Sequence, residues 1–209
     1  SLTDADNNVA IGYQALTTED IGSRTVAIGY QTLFAQNSAT ATDTYNTAVG
    51  ALAGAEVTTG TQNTIVGGLA ADALTIGFQN VAIGVDALST DTAGNKSVAI
   101  GRSALSSQNF SSDTDGLNTA VGYFAGVGIT TGKRNAFLGA EAGASNTTGE
   151  SNTYIGRQAG TSMTTGSNNT IIGRYNGNQD SLDLRTSSNN IILSDGDGAG
   201  RFRANSSGQ

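Results

Sequence analysis

Short apolar triplets alternate with polar loops along this chain on a fixed beat. Residues 7–16 read NNVAIGYQAL, and residues 25–33 repeat the phrase as TVAIGYQTL. With the Gly of V-A-I-G as anchor, the motif recurs at Gly12, Gly29, Gly50, Gly67, Gly84, Gly101, Gly122, Gly139, Gly156 and Gly173, and Ser194 falls in the same frame. Anchors are 17 residues apart, except that every fourth interval is 21, so a 72-residue super-repeat overlies the short one. The position before the anchor is always aliphatic, from Ile11 and Ile28 to Ile172 and Leu193. Four before the anchor stands Asn8, Asn46, Asn63, Asn80, Asn118, Asn135, Asn152, Asn169 or Asn190, with Thr25 and Ser97 as the exceptions. A second Gly lies seven before the anchor in every 17-residue interval: Gly22, Gly60, Gly77, Gly94, Gly132, Gly149 and Gly166.

A 17-residue unit cannot bury a core alone. Ordering each residue costs roughly 1–2 kcal/mol, and each unit offers only about three apolar side chains worth ~1.5–3 kcal/mol at best. The units must therefore stack, which is the logic of a solenoid. The pattern predicts an all-β, parallel β-solenoid or β-roll of about eleven coils over residues 1–198, with an exit segment at 199–209. Each coil reads as a strand (N-V-A-I), a Gly turn, a short second strand (Y-Q-A-L) and a loop through the second Gly. Stacking at about 4.8 Å makes a rod about 50 Å long. The Asn and Gly columns are expected to be structural, the Asn as an amide ladder.

The first strand is apolar on both faces. Positions three and one before the anchor share one face. The position between them points the other way and holds Ala10, Ala27, Ile65, Phe137, Tyr154 or Ile171 among others. A strand with two apolar faces is covered on both. One face lines the coil; the other needs a cover that this chain does not encode, and another copy of the chain is the simplest. A homo-oligomer with these strands turned inward follows.

Composition narrows the chemistry. The 209 residues include 29 Gly and no Pro, Cys or His, and the net charge is −7. The absence of Pro suits a backbone whose N–H groups are needed in ladders throughout. Without His the commonest general base and metal ligand is missing. The acidic balance argues against nucleic acid as a partner, and no apolar run is long enough for membrane insertion as a helix. No cofactor is expected. The chain does not start with Met, which suggests a fragment or a processed chain.

The N-x-V-A-I-G repeat resembles the head repeats of YadA-like trimeric autotransporter adhesins. The phrases at 58–70, TTGTQNTIVGGLA, and 164–173, TTGSNNTIIG, are similar to repeats in tail fibres of marine bacteriophages. Residues 189–209 resemble the stretch that in such fibres precedes a C-terminal intramolecular chaperone. The resemblance implies a left-handed β-roll, a homotrimer, and a structural role in host attachment on a virion tail fibre or a cell surface. The partners it implies are the chain itself and a host-surface glycan or protein receptor.

Further candidates remain. The longer intervals place insertions at 34–45, 106–117 and 178–189, expected about 19 Å apart on one side of the rod. Arg157 and Arg174 occupy one column on adjacent coils, a candidate contact for an anionic glycan. DGDG at 195–198 reads as a polar turn rather than a calcium loop. Glycan hydrolysis by a carboxylate pair needs a separation of ~5–9.5 Å. Asp86 and Glu141 lie three coils apart in one column, and Asp113 with Asp115 and Asp180 with Asp183 sit in loops, so a non-enzyme is expected. Thr58, Thr75, Thr92, Thr130, Thr147 and Thr164 form a column nine before the anchor that could order ice; their mostly paired arrangement, Thr beside Thr, argues against it.

Overall fold

A computed structural model describes residues 6–208. Eleven three- or four-residue strands, one per coil, lie in one parallel ladder: β1 (Val9–Ile11), β2 (Val26–Ile28), β3 (Thr47–Val49), β4 (Thr64–Val66), β5 (Val81–Ile83), β7 (Val98–Ile100), β9 (Thr119–Val121), β10 (Ala136–Leu138), β11 (Thr153–Ile155), β12 (Thr170–Ile172) and β15 (Ile191–Ser194). The register is that of the motif, Val9 on Val26 and Ile11 on Ile28. It survives the long intervals, with Val26 on Thr47 and Ile28 on Val49. The extra residues are therefore looped out without a slip. Two loop pairs accompany the insertions, β6 (Gly94–Asn95) with β8 (Thr114–Asp115), and β13 (Asn178–Gln179) with β14 (Leu182–Asp183). The exit segment folds back: β16 (Gly200–Ala204) pairs antiparallel with β15 and adds a twelfth strand to the sheet.

The anchor column must be Gly. From Gly12 to Gly173 the residues adopt φ between +110° and +145°, a region closed to other side chains. A Cβ on Gly67 would also sit 2.5 Å from the Gly84 carbonyl oxygen of the next coil. Ser194 is tolerated because it does not adopt the positive φ of the glycines, and the strand beyond it runs antiparallel with a register shift at Leu193/Ser194.

Among the described residues the expected second strand is absent. After the anchor the chain alternates into the left-handed region at the second and fourth residues, as in Gln14 (φ 54°) and Leu16 (φ 51°). These residues still bond from coil to coil: Leu16 N donates to Thr32 O at 3.0 Å, and Gln31 N to Tyr13 O at 2.9 Å. The backbone ladder continues through a turn rather than a strand. Non-Gly residues in this region cost roughly 1–2 kcal/mol each, offset by stacked hydrogen bonds that an irregular loop would lack.

Inside, the middle residue of each strand is buried from Ala27 to Ile192. It packs against the fourth and seventh residues after the anchor. Sizes are complementary within most coils, and where both positions are small, Ala48 with Gly54 and Ala120 with Gly126, larger side chains of the neighbouring coils (Leu33 and Ile65, Leu105 and Phe137) fill the space. Where the strand holds Ala27, Ala82 or Ala99, the turn holds Leu33, Leu88 or Leu105. Where it holds Phe137 or Tyr154, the turn holds Gly143 or Gly160, and a Cβ there would come within 2.7 Å of the ring. Phe137 and Tyr154 stack at 5.3 Å. A coil this narrow keeps native packing density only by trading volume across its section.

Candidate functional site

Two features of the rod bear on function: the polar devices in its interior and the apolar stripe on its outside.

The Asn column fills the interior corner before each strand. Asn135 Nδ2 donates to Gly149 O at 2.9 Å, and its Oδ1 accepts from Asn152 N at 3.0 Å. Asn46, Asn63, Asn118 and Asn152 repeat the bond to a second-Gly carbonyl. Amide-to-amide contacts complete the expected ladder, such as Asn63 Nδ2 to Asn46 Oδ1 at 3.3 Å. Each Asn thus joins its own coil to the next.

Thr25 and Ser97 break the column where the next interval is long and lacks the second Gly. There a buried Gln takes over. Gln108 Nε2 donates to Ser97 Oγ at 3.2 Å, and its Oε1 accepts from Asn118 Nδ2 at 2.8 Å. Gln36 does the same between Thr25 and Asn46. Beneath each Gln lies a buried carboxylate. Asp91 accepts from Gln108 Nε2 at 2.5 Å and from the Gly94 and Phe110 N–H groups, each at 3.0 Å. Glu19 accepts from Gln36 Nε2, from the Ile21, Gly22 and Ser38 N–H groups and from Ser38 Oγ. These groups pin the first two insertions to the core, so those insertions are anchored from within rather than simply protruding.

The two carboxylates titrate in opposite directions. Burial raises Glu19, but hydrogen bonds from the Gly22 N–H, the Gln36 side-chain amide and the Ser38 N–H and hydroxyl outweigh it and hold its carboxyl below the ordinary value. Burial raises Asp91, and its hydrogen bonds from Gln108, Phe110 and Gly94 only partly offset that. The difference follows the sequence, since Phe110 stands where the first super-repeat has the Ser38 hydroxyl.

The third insertion lacks this device. It is a hairpin held by Tyr175, whose hydroxyl donates to Leu182 O at 2.7 Å. Burial pushes that phenol up to about 12. Arg185 grips Asp183 through Nε and Nη2 at 3.0 and 2.8 Å and holds its carboxyl at about 2.

The other candidates fall as follows. Asp113 accepts from Asn95, Asp115 from Lys96, and Glu141 from Gln158. Arg157 is exposed and unbonded among the described residues. Arg174 donates to Gln158 Oε1 at 3.1 Å. It lines a cleft of about 200 Å³ with Gln158, Thr161, Asn176, Gln179 and Asp197. The two guanidiniums share a column but not a partner. In 195–198, Asp195 accepts from the Asp197 and Ala199 N–H groups and from Arg201, closing a turn. Among the described residues no group of three or more Asp and Glu is placed to hold a metal. The Thr hydroxyls are engaged, each donating to a carbonyl of the next coil, as in Thr75 Oγ1 to Thr92 O at 2.7 Å. Thr58, Thr92, Thr130, Thr147 and Thr164 do likewise. That column reinforces the ladder.

The outer stripe is built by the strand residues that flank the buried middle one. They run from Val9 and Ile11 to Ile191 and Leu193, as Val, Ile, Leu, Thr or Ala throughout, half-exposed to exposed. Ile11 is 58% and Leu138 50% exposed. Tyr13, Tyr30 and Tyr123 border the stripe on one side, Tyr45 and Leu117 on the other. Among the described residues every exposed large hydrophobic side chain except Leu69 and Ile76 lies on the stripe, along these borders, or on β16. Twelve strands at about 4.8 Å make the stripe about 53 Å long, and its two columns stand about 7 Å apart. Such a continuous face, with Thr the only polar residue type on its two columns, is unlike the singly scattered apolar residues of an ordinary monomer surface.

Comparison of the chain with protein-family models, with curated proteins and with solved structures returned no match.

Proposed function

We propose that the chain is a non-enzymatic, structural segment of a homotrimeric fibre. Three left-handed rods bury their aliphatic stripes against one another and hold an attachment surface away from a virion or cell. The carrying observation is the uninterrupted stripe on a rod whose own core is already filled. The interior supports a spacer rather than a catalyst: its polar groups are spent on joining coil to coil, and Glu19 and Asp91 are sealed from any substrate. The choice of a phage tail fibre over a bacterial adhesin rests on the resemblance of residues 58–70 and 164–173.

Immunogold electron microscopy with antibodies to this chain tests the reading. Labelling of thin fibres on virions or of surface appendages is expected. Labelling confined to soluble cell contents would contradict it. At the level of the interface, Ile155→Asp is expected to release folded monomers.

A further inference from the structure

A stripe of Val, Ile and Thr repeated every 4.8 Å or so has a weakness as an interface. Sliding one copy by a single coil sets aliphatic side chains on aliphatic side chains again and forfeits only about one strand in twelve of the buried area. Repetitive faces specify register poorly. The two central columns offer no aromatic residue from β1 to β15 to break the repeat.

β16 supplies one. It pairs with β15 so that Phe202 stands opposite Leu193. Directly paired residues of an antiparallel ladder project on the same side, so Phe202 continues the aliphatic stripe by one strand. It is 52% exposed, flanked by exposed Arg201 and Arg203, and it is the one bulky ring on those columns. Its strand is held in place: Arg201 is paired with Asp195, and four register pairs tie β16 to β15.

We propose that Phe202 is the register anchor of self-association: it packs against its counterparts in sister copies and penalises every staggered alignment. This rests on the reading of the stripe as the interface between copies. In an alignment slipped by one coil Phe202 of one chain would meet the aliphatic level of Leu193 instead of another ring, and the ring of the other chain would be left exposed at the end of the rod. Aromatic side chains are the usual anchors of such interfaces.

The chain contains no Trp, so Phe202→Trp introduces a single indole reporter. In the assembled state its emission is expected to be blue-shifted and its quenching by acrylamide at least fivefold weaker than in dissociated chains. Phe202→Ala is expected to raise the concentration of half-dissociation at least tenfold and to broaden the sedimenting boundary, with the far-ultraviolet circular dichroism unchanged. Phe202→Leu should lie between. Free quenching of the indole in the oligomer, or a Phe202→Ala chain that sediments and dissociates like the parent, overturns the anchor. If Ile155→Asp still releases monomers in that case, the stripe remains the interface and only the anchor falls. A parent chain that is monomeric removes both.

Discussion

At the scale of single residues, the chain separates polar groups that join coils from polar groups that merely fit. Asn135 belongs to the first kind. Replacing it by Ala strips the Gly149 carbonyl and the Asn152 N–H of their partners, and each buried group left unsatisfied costs about 1–3 kcal/mol. A loss of about 2–5 kcal/mol in urea denaturation is expected; a change below 0.5 kcal/mol would show that the column is ornamental. Tyr154 belongs to the second kind. Its ring fills the space left by Gly160 and stacks on Phe137, while its buried hydroxyl lies near the Asn146 and Asn169 side-chain amides without a well-formed hydrogen bond. Tyr154→Phe is therefore expected to be neutral or to stabilise by about 1 kcal/mol, read from the melting temperature. The Gly and Asn columns were visible in the sequence because one residue type meets one geometric demand. The left-handed positions were not. The fifth residue before each anchor is left-handed as Arg24, Tyr45, Lys96 or Leu117 alike, so the ladder, not the side chain, decides there.

At the scale of elements, the strand and its register were legible, and the turn after it was not. Y-Q-A-L alternates polar and apolar as a strand would, yet the same alternation serves a turn whose second and fourth residues are left-handed. The inward column seven after the anchor was hidden for another reason. It holds Glu19, Gln36, Val57, Leu74, Asp91, Gln108, Ile129, Asn146 and Met163, all buried, and no rule of polarity unites them. Four of its five polar members sit at the first two long intervals, where a wider coil leaves backbone groups that a carboxylate and a Gln reach; the fifth, Asn146, accepts from the Gly149 N–H in an ordinary coil. This makes a prediction with opposite signs. Glu19 has a folded-state pKa below its ordinary value of 4.5, so its contribution is present above that pH and is lost on acidification. Asp91 has a folded-state pKa above its ordinary 3.8. Its contribution is full in acid and fades as pH rises through the folded value. Relative to the parent, Glu19→Gln should therefore lose melting temperature as pH rises from 3 to 7, and Asp91→Asn should gain it. Parallel trends in the two variants would refute the assignment.

At the scale of the whole molecule, the strand that was apolar on both sides resolves into an inner column and an outer stripe. The inner column is Ala10, Ala27, Ile65, Phe137 and their equivalents. The outer stripe is Val9, Ile11 and theirs. Which face went inward follows from volume. The narrow coil trades volume with its neighbours, Ala opposite Leu, an aromatic ring opposite Gly, and Ala48 or Ala120 with Gly where adjacent coils fill in, a constraint the outer positions do not share. The fold-back of β16 was not legible, because nothing in GRFRA distinguishes a returning strand from an extended exit. The central claim is that the outer stripe is an interface between sister chains. Sedimentation equilibrium of residues 1–209 at micromolar concentration tests it most directly. The account predicts a single species of about three times the 21.0 kDa chain mass, reduced to folded monomer by Ile155→Asp. A parent chain that sediments at 21.0 kDa while showing a cooperative β-sheet melting transition would contradict it.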